Sequence, residues 1–405
     1  MTRPLRIGYL VPQFPGQTHI FFWREIRALE EMGHEVHLLS TRKPPQGLIS
    51  HRWSAEAMAR TTYLGAVAPL QAAGGLARLL PRGLPVWMAR EGLDFTKDAI
   101  LTLSAAQALL TLSRVRRLDH VHAHSCGRAA LIAAFAERMG GPRYSLTLHG
   151  ALQDYGPGQR FKWRHAAFAT VITQTLRNTL SRDLGGYLPD RLPVQAMGVD
   201  TDDLRPAGPY QPVQHGEPMR LFSCGRLNVF KGHQDLMSAV RQLLDDGVDV
   251  RLEIAGEDDV GGTGYRKELE THLRKLRLQD HVRLLGAVDA DIVRDKLQQA
   301  HLFVLASWNE PLGVAYMEAM ACGVPTIGTN AGGVHELIED GVTGRLVAPK
   351  APRELARLIR DLAQSPETCR AFSTAGRAHV VANFSAAGGA ACLVREIRHA
   401  MGTAP

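Results

Sequence analysis

Two carboxylates eight residues apart, Glu310 and Glu318, carry the strongest chemical signal in the sequence. Glu310 follows an apolar run, Leu302 to Leu305, that predicts a strand, and it sits on the loop that closes it. Pro311, Leu312, Gly313 and Val314 then open a predicted helix, with Glu318 about one turn inside it. Cys322-Gly323, with Pro325 just beyond, ends that helix by the usual Gly-then-Pro rule. The first turn of such a helix leaves N–H groups free, and together with the dipole they favour an anion such as a phosphate. Gly313 lets a ligand approach the backbone. Leu312, Gly313 and Val314 are therefore candidate binding residues. Glu318 is placed to reach the hydroxyls of a ribose, and Glu310 a sugar held nearby.

A second signal is cationic. Gly225 to Gly232 joins the predicted strand Met219 to Cys224 to a helix from His233 to Leu244, and Arg226 and Lys231 stand five residues apart within it. Gly225 and Gly232 bracket the pair, which makes a phosphate cradle between strand and helix. Arginine can take two phosphate oxygens at once, and lysine acts as a point charge. In the first half, His149 ends the strand Tyr144 to Leu148 beside Gly150, a place that suits a hydroxyl or phosphate contact.

Metal chemistry finds little support. His122 and His124 alternate on a predicted strand, but no third ligand stands at useful spacing. Asp200-Thr201-Asp202 and Asp289-Ala290-Asp291 match a short acidic metal pattern that is common by chance, and both fall at a turn or helix start, where Asp is a frequent cap. Gly261-Gly262-Thr263-Gly264 lies between a strand and a charged helix and is no dinucleotide fingerprint. No metal and no cofactor is expected.

The elements that must position these residues form two successive β-α-β sets. The first contains Leu5 to Val11, a helix from His19 to Met32, Val36 to Ser40, Val121 to His124, Tyr144 to Leu148 and Ala169 to Thr173. The stretch Thr41 to Leu118 is predicted helical, with Arg78, Arg82, Arg90, Arg114, Arg116 and Arg117 among apolar runs. The second set contains Met219 to Cys224, Val250 to Ala255, His281 to Leu285 and Leu302 to Leu305. The predicted organisation is an α/β domain over 1–200, a Pro- and Gly-bearing linker over 201–218 and a second α/β domain over 219–384. A last helix, 385–405, is predicted to return to the first domain.

With 405 residues, 45% of them hydrophobic and 21% charged, the chain has the composition of an ordinary two-domain globular protein. Five scattered cysteines without a C-x-x-C pair argue for a reducing compartment. A strand so close behind Met1 leaves no signal-peptide pattern, and the longest apolar runs are too short to span a bilayer. The net charge is +7, and residues 1–118 account for it, with 15 Lys and Arg against 8 Asp and Glu. Such an excess suits an anionic neighbour, either phospholipid headgroups or a phosphorylated acceptor. No nucleic-acid module is recognisable.

The run from Leu302 through Glu310, Glu318, Gly332-Gly333, Glu336-Leu337 and Gly344 to Pro349 resembles the signature of the retaining glycosyltransferases of family 4. Gly8-Tyr9 to His34-Glu35-Val36 resembles the opening of bacterial polysaccharide members, of the exopolysaccharide, capsule and colanic-acid type. Where many of these read Ser-Glu-Thr-Phe, this chain has Gly16-Gln17-Thr18-His19, so an acidic side chain is missing there. The resemblance implies the GT-B fold, two Rossmann-like doubly wound domains facing each other across a cleft. It implies transfer of a hexose from a nucleoside diphosphate sugar, UDP-linked before GDP-linked, to a lipid-linked saccharide acceptor in polysaccharide assembly. It casts Glu310, His149, Arg226 and Lys231 as catalytic. Gly16 is cast at the donor, Gly225 in the phosphate loop, and Gly256 and Glu257 at a nucleobase pocket. It also implies a cytoplasmic protein, peripheral on the inner face of the plasma membrane. The rival readings are a nucleotide-sugar epimerase of the same fold and a non-catalytic nucleotide-sugar-binding subunit.

Overall fold

Short apolar runs pair as two separate parallel sheets of six strands each. The computed structural model describes residues 3–44, 51–66, 68–258 and 264–403. One unit comprises Met1–Gln46, Trp53–Ala196 and Gly389–Pro405, and the other comprises Gly47–Arg52 and Met197–Gly388.

The first unit contains β1 (Arg6–Gln13), β2 (Glu35–Arg42), β3 (Thr62–Tyr63), β4 (His120–Ala123), β5 (Tyr144–Leu148) and β6 (Phe168–Val171). They lie in the order β3-β2-β1-β4-β5-β6, and every pairing is parallel. β4, β5 and β6 are buried along their whole length, as a parallel sheet covered by helices requires. The helix Arg128–Arg138 shows why. It buries every residue from Ala129 to Ala136, because it packs against β1, β4 and β5 and also against the long helix Leu93–Arg116. Small side chains let it fill that layer.

The prediction of helical structure from Thr41 to Leu118 needs correcting at its start, where β2 runs on to Arg42, and at Thr62–Tyr63. β3 adds to the sheet edge there, with Thr62 beside Leu39 and Tyr63 beside Ser40. Two residues are too few for an alternation to show in sequence.

The second unit contains β7 (Met219–Cys224), β8 (Val250–Ala255), β9 (Val282–Gly286), β10 (Leu302–Val304), β11 (Thr326–Thr329) and β12 (Arg345–Val347). Their order is β12-β11-β10-β7-β8-β9. Counted within each unit, both sheets run 3-2-1-4-5-6, so each winding reverses between its first and fourth strands. In open parallel sheets that reversal leaves a crevice beyond the carboxyl ends of the strands, where ligands bind. The crevice falls between β1 and β4 in the first unit and between β7 and β10 in the second.

The segment 201–218 lies against the second unit. Tyr210 donates its hydroxyl to the His301 carbonyl at 2.8 Å and packs with Val213 on that unit's core. Residues 389–405 belong to the first unit, where buried Glu396 takes both arms of Arg191 at 2.5 and 2.8 Å. Gly261, Gly262 and Thr263 lie outside the described residues.

Candidate active site

In the second unit the crevice residues are those that the spacing singled out. The β7 strand ends at Cys224, and the loop behind it closes in a short helical turn, Val229–Lys231. Gly232 then turns left-handed at φ +67°, and a β-carbon there would lie 1.8 Å from the Ala306 carbonyl oxygen. That close approach presses the basic loop onto the end of β10. Lys231 Nζ forms an ion pair with the Glu310 carboxylate across the reversal point, and Ser307 donates to the same carboxylate oxygen at 3.3 Å.

Glu310 is buried, at 8% exposure, and its backbone is clamped. Its carbonyl accepts the Gly333 N–H at 3.0 Å. Gly313 follows at φ +100°, with the Tyr316 ring filling the place of a side chain. The helix Val314–Ala321 begins there, so Pro311 to Gly313 form its approach rather than its first turn. Glu318 lies inside the helix and is buried at 9%, close enough to Cys224 to raise the thiol pKa further, after burial itself. Leu312 is buried and Val314 partly so. Arg226 stands exposed on its loop.

Gly225 and Gly256 meet beside this site. Gly256 has φ +146°, and a β-carbon on it would lie 1.9 Å from the Gly225 carbonyl oxygen. The end of β8 is thus locked to the basic loop, with Gly225 N–H donating to Ala255 and Leu227 N–H to the Glu257 carbonyl at 3.1 Å. The Glu257 carboxylate accepts from Arg266 at 2.6 Å.

In the first unit, His149 sits at the end of β5, half-buried against Phe21, Phe22 and His124. Its Nε2 is 3.4 Å from His124 Nδ1. Burial, with His124 adding, pushes its pKa down to about 3, so the ring is neutral at ordinary pH. Gly16 is buried under the His19 imidazole, which would clash with any side chain there. His120 and His122 share the Ser145 hydroxyl at 2.7 Å each, and His122 also reaches Thr147 at 2.8 Å. His122 has both ring nitrogens on hydroxyl groups, while His120, at the start of β4, is bonded through Nε2 alone.

Some participants were not singled out in sequence. Ser307 supports Glu310, Tyr316 donates to the Leu305 carbonyl at 2.7 Å, and His233 is fully buried behind the basic loop. Glu25 lies below the first crevice, taking the Tyr9 hydroxyl at 2.7 Å and approaching His124 to 3.1 Å. A glutamate on a mostly apolar helix face was the available sign of it.

Two six-stranded parallel units, each wound 3-2-1-4-5-6, agree with the GT-B fold that the sequence resemblance implied. The family model for the Glycosyl transferase 4-like domain matches residues 19–192, and that for Glycosyl transferases group 1 matches residues 211–379. The chain belongs to the family 4 glycosyltransferases. A relative from Salmonella typhimurium, a putative colanic acid biosynthesis glycosyltransferase, is 26% identical over 94% of this chain and 96% of its own length. A GDP-mannose-dependent phosphatidylinositol monomannoside mannosyltransferase from Corynebacterium glutamicum is 29% identical over 70% of this chain and 77% of its own. Among solved structures, sucrose-phosphate synthase from Thermosynechococcus elongatus superimposes with a TM-score of 0.75 at 19% identity, over 99% of this chain and 100% of the other. Anabaena HepE, in complex with UDP-glucose, gives 0.73 at 19% identity, over 98% and 100%.

Proposed function

We propose that this glycosyltransferase moves a hexose from a nucleoside diphosphate sugar to a saccharide acceptor with retention at the anomeric carbon. The observation that carries the proposal is the Lys231–Glu310 pair at the β7/β10 reversal point, with Glu318 buried eight residues further on. Lys231 and Arg226 would take the charge that builds on the leaving diphosphate, which costs little reorganisation when the cations are already in place. The N–H groups at Val314 and Ala315 would face the same anion. Glu318 would hold the ribose and Glu310 the transferred sugar, and His149, in the first unit, would make a sugar contact of its own. Neutral His149 suits a hydroxyl group better than a phosphate. No protein group is assigned as base, and a donor phosphate oxygen would take the acceptor proton.

Metal independence belongs to the same proposal. Of the two acidic pairs in the sequence, Asp200 accepts the N–H groups of Asp202 and Asp203 at 3.0 and 2.9 Å. Asp291 pairs with Arg52 at 2.9 Å and Arg294 at 3.3 Å. Asp200 thus holds its own turn, and Asp291 is engaged by two arginines, one of them on its own helix.

A UDP-sugar is the first choice of donor, supported by the UDP-glucose complex of Anabaena HepE. A GDP-sugar is the second, supported by the corynebacterial relative. The likeness to colanic acid enzymes supports a role in polysaccharide biosynthesis. We place the acceptor on a lipid at the cytoplasmic face of the membrane. Among the described residues no helix is long and apolar enough to cross a bilayer, which is compatible with peripheral attachment.

A thermal-shift panel of UDP, GDP and ADP and their sugars tests the donor, since a ligand that binds only the native state raises the melting point. Glu318→Ala should then weaken donor use by roughly 1.5–3 kcal/mol, the worth of one charge-assisted hydrogen bond. Wild-type kinetics in a well-folded Glu318→Ala protein would remove the ribose assignment.

A further inference from the structure

Of the 12 phenylalanines and 5 tryptophans in the chain, Phe230 alone is exposed, and it immediately precedes Lys231. Its exposure is 61%, and Val229 beside it stands at 36%. Every other Phe ring is at least partly covered, so folding gains little from this one. Its surroundings are built all the same. The Phe230 carbonyl accepts the Trp308 N–H at 2.7 Å, and the two rings meet edge to face with centroids 6.4 Å apart. Trp308 is itself fixed, with Nε1 donating to Asp235 at 2.5 Å and Lys350 Nζ 4.1 Å from its ring centroid. Two residues after Trp308 comes Glu310.

The sheet order decides which part of a ligand Phe230 can meet. β7 lies between β10 and β8. Phe230 leans on Trp308, which belongs to the β10 loop. The expected base pocket, Gly256 and Glu257, lies at the end of β8 on the other side. Phe230 is therefore on the sugar side of the phosphate loop. Glu310 is buried within that side while Phe230 projects from it, so the ring stands outside the expected donor-sugar position. An aromatic face is electron-rich, and it attracts polarised C–H bonds as well as cations.

We infer that Phe230, propped by Trp308, is a stacking platform for the acceptor, taking a pyranose by a face that presents C–H bonds. This rests on the donor-site reading above and adds an acceptor contact supplied by the second unit. The Lys231–Glu310 pair would hold the donor, and the neighbouring Phe230 would orient the incoming sugar ring beside it.

Saturation-transfer NMR tests this with the whole protein plus UDP, using methyl glycosides of glucose, galactose, mannose and fucose as probes. With irradiation of aromatic protons, at least one glycoside should receive saturation on the C–H protons of one ring face. Phe230→Leu, which keeps apolarity but lacks the ring face, should cut that transfer at least fivefold, and Phe230→Trp should retain it. Transfer unchanged in Phe230→Leu, or absent from every glycoside in a protein that binds UDP, overturns the inference. So does a Phe230→Leu protein that loses binding to phosphatidylglycerol vesicles while keeping its glycoside signal, which would assign the ring to a membrane. A protein that binds none of UDP, GDP and ADP would instead overturn the donor-site reading beneath it.

Discussion

The carbonyl oxygen of Glu310 occupies the space where Gly332 would carry a side chain, 2.0 Å from an ideal β-carbon. Gly332 also sits at φ +63°, and Gly333 donates its N–H to that same carbonyl. The loop after β11 therefore sets the height of the Glu310 loop, and with it the position of the carboxylate facing Lys231.

Gly332→Ala tests that dependence. The new methyl must displace the Glu310 backbone, and a left-handed alanine adds strain of about 1 kcal/mol or more. Transfer activity should fall at least tenfold while the protein remains folded at 25 °C, with the urea midpoint lowered. Asn330→Ala, an exposed neighbour, serves as the control and should leave both quantities near wild type. Full activity in Gly332→Ala would show that the Glu310 loop tolerates a shift that the geometry forbids.

Metal chelation is a second test. Arg226 and Lys231 are proposed to neutralise the diphosphate, so turnover should survive millimolar EDTA within a factor of two. Activity that disappears in EDTA and returns with Mg2+ or Mn2+ would move the charge stabilisation from these side chains to a metal.

Much of this site was legible in sequence because its parts are local. The Gly225–Gly232 loop and the Glu310–Glu318 run each lie within a dozen residues, and strand-then-helix patterning places both at strand ends. What the pattern could not supply is the pairing of Lys231 with Glu310, which are 79 residues apart in sequence. That pairing depends on β7 lying beside β10, a consequence of winding order. Gly16 illustrates the opposite case. Its bare backbone suggested closeness to a donor, yet the His19 ring gives it a local packing reason. β3 was missed because two residues cannot show a period, and the role of Glu25 because its partner His124 comes from a distant strand.

The first unit should be acid-sensitive well above the carboxylate range. Burial, with Arg143 adding, pushes the His120 pKa down to about 3. His122 and His124 are driven well below 6.5, also by burial. An unfolded histidine takes up its proton near pH 6.5, while these native rings do not, so stability is lost as pH falls below that value. For His120, which stays neutral at pH 5, the loss there is about 2 kcal/mol. Burial raises the Glu25 carboxyl instead, and with the opposite sign it favours the native state as pH falls, offsetting part of the loss. His120→Leu should flatten the fall in urea midpoint between pH 7.5 and pH 5. Wild-type and variant curves that run parallel over that interval would mean the buried imidazoles are not what acid attacks.

Membrane attachment is the last test, and two features of the first unit motivate it. The net excess of Lys and Arg lies within residues 1–118, and Arg114, Arg116 and Arg117 are exposed together at the end of the helix Leu93–Arg116. Toward the start of the same helix, about 20 Å from the arginines by helical rise, apolar side chains are left in solvent, with Leu70 90%, Ile100 57% and Leu101 65% exposed. The Ala68 N–H donates to Ser104 at 3.1 Å, so Leu70 starts its helix within about a turn of Ile100 and Leu101. An anionic bilayer binds basic groups at about 1 kcal/mol for each Lys or Arg near it, and exposed apolar side chains add to that attraction. Sedimentation with phosphatidylglycerol vesicles should therefore be strong at low salt and fall steeply by 0.5 M, where screening shortens the reach of charge. Phosphatidylcholine vesicles should bind much less. Replacing Arg114, Arg116 and Arg117 with Gln should reduce vesicle binding at least tenfold, while hydrolysis of the donor, which depends on the second unit's loops, stays as in wild type. Leu70→Asp with Leu101→Asp should weaken the binding that survives at high salt, because that part is apolar. Equal binding to neutral and anionic vesicles would remove the charged contribution and leave the donor-site reading unaffected.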